Sequence, residues 1–145
     1  MIALLQRVLE ASVTVDGERI AEIGPGLLVL VAVQPGDDAA RIGRMAERLL
    51  AYRVFADDTG RMNRSLAETG GGLLLVSQFT LAADTSSGLR PGFSTAASPE
   101  AARVGFDNLV DRCRERHAPV ATGRFGAHMQ VALVNDGPVT LRLET

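Results

Sequence analysis

Leu27 to Val33 is a run of seven consecutive apolar residues, and a second run, Leu73 to Val76, follows a triple glycine and passes into the polar stretch "SQFT". A strand with one face in water alternates polar and apolar residues, whereas a strand without alternation is covered on both faces. Two such strands call for a sheet with material packed above and below it. In a chain of 145 residues that means helices or a second sheet layer around one core. Seven residues are far short of the roughly 20 that span a bilayer as a helix.

The flanking sequence supplies the covering elements. "SVTVDGERI" alternates and carries Asp16-Gly17, a two-residue hairpin signal. "DDAARIGRMAERLL" sets Ala40, Ile42, Met45, Leu49 and Leu50 at mostly three- and four-residue spacings behind Asp37 or Asp38 as a cap, which predicts an amphipathic helix. "FADDTGRMNRSLAETGGG" reads as a turn-rich surface connection between short strands. "TSSGLRPGFSTAASPE" reads as a long loop ending in Ser98, Pro99 and Glu100, the cap, first position and first turn of a second helix. "AHMQVALV" and "PVTLRLE" predict a closing β-hairpin that turns at "NDGP". The expected fold is a single α/β domain over residues 1–145, with five or more strands and two main helices.

Charge and cysteine content narrow the setting. A net charge of −2 gives no global basic field, so a nucleic-acid partner has to be held by a local patch or by its end. All fifteen basic residues are arginines. The lone Cys113 has no disulfide or CxxC partner, and the N-terminus lacks a basic leader with a long apolar stretch. Both lead to the expectation of a cytoplasmic location.

The chemistry-bearing stretches are few. No HExxH, GxxxxGKS, GxGxxG or GxSxG occurs, and neither a metal nor a cofactor is expected. "DDTGRMN" sets acidic and amide oxygens near a glycine but lacks the spacing of a calcium loop, and reads as a turn. Arg112, Arg114, Arg116, His117 and Arg124 either meet phosphates or complement a helix dipole. Arg7, in an otherwise apolar strand, calls for a buried or interface partner. "VSQFTL" puts Ser77, Gln78 and Thr80 at a strand end, a common ligand position in α/β sheets and equally a place where polar residues satisfy local backbone. If the strand stays regular, Gln78 and Thr80 share one face and Ser77 and Phe79 the other. His117 and His128 are the two histidines, and neither sits in a hydrolase motif. "NDGPVT" has the composition of an ordinary turn; a cis Gly137-Pro138 bond would instead present successive carbonyls as a rigid polar wedge.

Taken together, "LLQRVLEASVTVDGE", "IGPGLLVLVAV", "MNRSL", "VSQFTLAADT" and "FGAHMQVALVNDGPVTLRLE" resemble the bacterial D-aminoacyl-tRNA deacylases over essentially the whole chain. The resemblance implies a homodimer of β/β/α layers that hydrolyses the ester between a D-amino acid and the 3′-terminal adenosine of tRNA, and also acts on glycine mischarged onto alanine tRNA. It implies that Gly137 and Pro138 form a cis peptide that enters the neighbouring subunit's pocket and excludes L-amino acids by clash. Ser77, Gln78, Phe79 and Thr80 would line that pocket, with Ser77, Phe79 and Thr80 as catalytic candidates and Gln78, Arg7 and Met129 as substrate contacts. The chemistry would rest on the tRNA's own 2′-hydroxyl, with Thr80 as covalent nucleophile the alternative. A non-catalytic nucleic-acid or protein-interaction module of the same fold is the rival reading. The chain departs from the family in one loop: "SSGLRPGF" has Ser86 and Ser87 where basic residues are usual and Gly92 where a serine is usual, leaving Arg90 as its one cation.

Overall fold

The computed structural model describes residues Met1–Thr145. Strand β1, Ile2–Val15, joins β2, Glu18–Ile23, through Asp16 and Gly17, both at positive φ (52° and 81°). That is the twist-matched two-residue turn which Asp-Gly favours. One edge of β1 is then divided: Ile2 to Val8 pair with β3, Gly26–Ala32, and Ala11 to Val15 pair with β2. β6, Gly72–Ser77, runs parallel to β3, and β7, Val120–Thr122, parallel to β6.

Parallel neighbours need crossovers, and these supply the helices. Helix α1, Ala39–Ala51, is capped by the Asp38 carboxylate on Arg41 N at 2.9 Å; α3, Pro99–Arg114, is capped by Ser98. Between α1 and β6 lie the small hairpin of β4, Phe55–Ala56, and β5, Met62–Arg64, and a one-turn helix α2, Leu66–Thr69, held by a Ser65–Glu68 capping box. The connection read as turns thus carries a helical turn, because Ser-x-x-Glu satisfies the N-terminal amides even over four residues.

The apolar runs are unbroken because each face of the sheet meets a different core. Leu27, Val29, Val31, Leu73 and Leu75 pack with Ile42, Met45, Leu49, Phe106, Leu109 and Cys113 under the helices. Leu28, Leu74 and Val76 pack on the opposite face with Val8, Ala11, Val13, Val15 and Ile23. The change from even to odd numbering within β1 comes from a bulge. Val8 pairs with Asn135 and Glu10 with Val134, so Leu9 is one residue too many and shifts the side-chain parity. The layers are therefore helices, a central sheet, and the sheet's own folded-over half.

The expected closing hairpin is not formed. Gln130–Glu144 is one fifteen-residue strand, β8, antiparallel to β1 along its free edge, from Thr14↔Gln130 to Ile2↔Glu144. Between Val8↔Asn135 and Gln6↔Thr140 the four residues Asp136 to Val139 lie opposite Arg7 alone. "NDGP" is a bulge in a continuous strand; both flanks pair with β1 and not with each other, because β1 is long enough to hold them.

Close approach fixes two glycines. Gly26 and Gly72 are register partners in the parallel pair, and a Cβ on Gly26 would lie 1.9 Å from Gly72 O. Gly26→Ala is expected to lower the unfolding free energy by about 3 kcal/mol or more. Gly24→Ala, where a Cβ meets nothing within 4 Å, should change it by less than about 1 kcal/mol. Urea melts of the two variants check the contrast.

Candidate active site

β6 delivers Ser77 to the sheet edge and stops there. Gln78 turns away at φ −146°, ψ 78°, yet its N–H still reaches Val31 O at 2.7 Å; Phe79–Ala82 then form a 3₁₀ turn. The alternation expected through Thr80 is therefore not realised, since the strand ends before it can operate. Gln78 and Thr80 are nonetheless partners, the Gln78 side-chain amide donating to the Thr80 hydroxyl. Phe79 and Thr80 stand first in the 3₁₀ turn, where backbone N–H groups have no partner within the turn.

Beside this corner opens a cavity of about 690 Å³ at the C-terminal ends of β3 and β6. Its walls come from Val31, Val33 and Val76 of the sheet, Ser77, Gln78 and Phe79 of the corner, Ala96, Ala97 and Ser98 before α3, Ala102 and Phe106 within it, and Phe125 to Met129 before β8. Phe93 lies at the rim, edge-on to Phe79 at 5.0 Å between ring centroids; Phe106 and Phe125 pair deeper, at 6.2 Å. The cavity is thus mostly apolar with Ser77, Gln78, Ser98 and His128 as polar points, a pattern that suits a flat ring with a polar rim. Of the expected site residues, Ser77, Gln78, Phe79 and Met129 line it. Thr80 lies just outside, exposed and bonded to Gln78.

No base is hydrogen-bonded to either hydroxyl. His117 is occupied with Gly71 O at 2.7 Å, and no hydrogen bond joins His128 or a carboxylate to Ser77 or Thr80. Burial pushes the Cys113 thiol up to about 12, so at neutral pH it is neither a nucleophile nor a ligand. The turn reading of "DDTGRMN" holds. The Asp57 carboxylate accepts from Thr59 N, Thr59 Oγ1, Arg61 N and Asn63 Nδ2, at 2.7 to 3.0 Å, which holds it well below the usual carboxylate range. Arg112 and Arg116 are engaged with Asn108 and Glu47.

Gly137 and Pro138 form the second feature, and their peptide bond is cis, as is Ala118-Pro119. Arg7, only 14% exposed, ties the bulge down: Nε donates to Asp136 O at 3.0 Å and lies 3.1 Å from Asp136 Oδ2, while Nη1 donates to Val54 O at 2.6 Å. Asn135 closes the far side, accepting from Val139 N at 2.9 Å and donating to Thr140 Oγ1 at 3.0 Å. At Gly137, φ is +132° and a Cβ would meet Val139 at 2.9 Å and Arg7 at 3.0 Å, so no other residue fits. Gly137 and Pro138 themselves are exposed.

These two features do not meet within one chain. None of Arg7, Gly137 and Pro138 lines the cavity, and Arg7 pairs with Leu27, at the opposite end of β3 from Val31 and Val33. Sequence reasoning missed Phe93, Ser98, Phe106, Phe125 and His128 as wall residues. For Phe93, Phe125 and His128 the local signal is an aromatic flanked by small residues in "RPGF" and "RFGAH", which on its own reads as loop.

A family model described as D-Tyr-tRNA(Tyr) deacylase matches residues 4–144. The chain is similar to proteins named D-aminoacyl-tRNA deacylase from Stenotrophomonas maltophilia (strain K279a), 67% identical, and Xanthomonas oryzae pv. oryzae (strain MAFF 311018), 69% identical, each over 144 residues and 99% of both chains. Among solved structures it is similar to the c-Myc DNA Unwinding Element Binding Protein, with a TM-score of 0.96 and 38% identity, covering 100% of this chain and 99% of that one. A probable eukaryotic D-amino acid tRNA deacylase shares the fold at a TM-score of 0.85 and 16% identity, over 99% and 98% of the two chains. Matched from residue 4 to residue 144 and two-thirds identical to curated relatives end to end, this chain belongs to the D-Tyr-tRNA(Tyr) deacylase family.

Proposed function

We propose that this chain is a hydrolase that cleaves the ester between a D-amino acid and the 3′-terminal adenosine of tRNA, and that the cavity beside "SQFT" receives that adenosine. The supporting observation is the cavity itself: apolar walls with polar points at Ser77, Gln78, Ser98 and His128 at the ends of two parallel strands, in a chain whose relatives carry this activity in their names. That no base is hydrogen-bonded to Ser77 or Thr80 favours substrate assistance. The neighbouring 2′-hydroxyl of the terminal ribose helps move the proton, while Ser77 Oγ and the backbone N–H of Phe79 stabilise the oxyanion. Thr80 then orients Gln78 and does not attack. The protein works in the cytoplasm, where charged tRNA is found.

Chirality is set by exclusion in this reading. Gly137 and Pro138 of a second copy enter the cavity mouth and occupy the space that an L side chain needs, with Arg7 holding the wedge and Met129 bordering the substrate. A D side chain points elsewhere. Glycine has no side chain to exclude, so glycine mischarged on alanine tRNA is also a substrate. The separation of the two features within one chain supports a homodimer, as do the exposed apolar residues Leu9, Val134 and Leu141 on β1 and β8. The name of the DNA-unwinding-element protein favours a second reading, a nucleic-acid-binding module without turnover.

D-Tyr-tRNA should be deacylated while L-Tyr-tRNA persists; binding of uncharged RNA with no ester turnover would establish the second reading instead. Thr80→Ala is expected to keep its rate within about tenfold, whereas loss of an attacking hydroxyl costs on the order of a million-fold. Single-turnover deacylation distinguishes the two. The placement of the wedge is tested by mixing two inactive variants, Ala96→Trp, which fills the cavity, and Gly137→Val, which deforms the bulge. Action across copies predicts recovery of about a quarter of the unsubstituted activity, since half the dimers are mixed and each has one intact site. Action within one copy predicts none.

A further inference from the structure

We propose that Leu89 and Arg90, at the tip of the loop from Asp84 to Phe93, form a seat for the single strand of tRNA just outside the cavity mouth: the guanidinium on a phosphate, the leucine beneath a ribose or base. The inference rests on the reading that the cavity takes the terminal adenosine. Leu89 is fully exposed, at 103% of its reference area, the one large apolar side chain in the protein without any cover. Arg90 beside it is exposed and forms no ion pair. An uncovered aliphatic next to an unpaired guanidinium fits a partner that alternates flat apolar surface with single negative charges, which is the chemistry of a nucleic-acid strand.

The tip is also held in place relative to the cavity. Asp84 and Gly92 exchange two backbone hydrogen bonds of 2.8 Å, and the Asp84 carboxylate accepts from Ser86 N at 2.9 Å. Thr95 donates its hydroxyl to Ala82 O. Phe93, which ends the loop, packs against Phe79 on the cavity rim. Three residues from Phe93, the Cα of Arg90 lies within about 11 Å of the rim, so its side chain reaches the first phosphates of a strand that leaves the mouth. A strand whose 3′-terminal nucleotide is bound in the cavity passes over the rim that Phe93 helps to form.

The test compares Arg90→Gln and Leu89→Ala with the unsubstituted protein on two substrates, D-tyrosyl-tRNA and the D-tyrosyl ester of adenosine alone. The ratio of kcat/KM for tRNA to that for the fragment is expected to fall about tenfold in Arg90→Gln. Its slope of log kcat/KM against log salt on tRNA should become shallower by about 0.7, the value for one phosphate on a single strand. Leu89→Ala is expected to lower the ratio without changing the salt slope. An unchanged ratio and slope overturn the proposal, as does an equal loss on both substrates, which marks an effect on the cavity. A change in sedimentation mass of either variant also overturns it, since the tip then contacts another copy. Failure of the unsubstituted protein to hydrolyse either substrate refutes the reading of the cavity, a separate result.

Discussion

The pairing of β1 with β8 is the constraint from which the rest of the molecule follows. A strand of fourteen residues receives the last strand along one whole edge and divides the other edge between β2 and β3. Both ends of the chain are thereby fixed in one sheet. Thr145 N donates to Met1 O at 3.1 Å, and the Met1 amine lies 2.5 Å from the fully buried Asp37 carboxylate at the start of α1. Because β1 changes partners midway, the sheet bends there, and its two halves bury opposite faces of the same central strands.

The bend also accounts for the cavity and the bulge. At one end the parallel strands β3 and β6 run out with nothing after Ser77 to continue the ladder, and the chain turns to leave a cavity walled by the start of α3 and the approach to β8. At the midpoint, β8 has three residues more than β1 between Val8 and Gln6, and the surplus stands out as Asp136 to Val139. The same mismatch that expels these residues brings Arg7 beneath them, and its three bonds to Val54, Asp136 O and the Asp136 carboxylate tie the projecting segment down.

Much of this is legible in the sequence. Asp16-Gly17, the caps Asp38 and Ser98, the two fully buried strands and the polar corner after Val76 are all local signals, and each lies where its chemistry requires. The continuous β8 was not legible. Asn, Asp, Gly and Pro have the same composition in a bulge as in a hairpin, and what separates the two is whether the flanking residues pair with each other or with a strand some 130 positions earlier. The end of alternation at Ser77 was hidden for a similar reason: Gln78, Phe79 and Thr80 have no helix or turn signature, and the 3₁₀ turn follows from the hydrogen bond of Gln78 to Val31. The far wall of the cavity joins Phe93, Phe106 and Phe125 from a loop, a helix and another loop, a convergence that only the crossovers create.

An enzyme that removes rare D-residues among abundant L-charged tRNAs is limited by what it must refuse, and refusal depends on stiffness. A side chain used as a barrier yields by changing rotamer, a motion of nanoseconds in exposed residues. A backbone projection yields only if its hydrogen bonds break. Arg7 and Asn135 together supply four of these around Gly137 and Pro138, and the net worth of each is about 1 kcal/mol, more where the guanidinium is the donor. On the reading proposed above, moving Gly137 and Pro138 far enough to admit an L side chain therefore costs several kcal/mol, and 1.36 kcal/mol corresponds to a factor of ten in rate. In that reading, discrimination requires no contact with the amino-acid side chain. On the proposed reading glycine, which has no side chain, meets no such barrier.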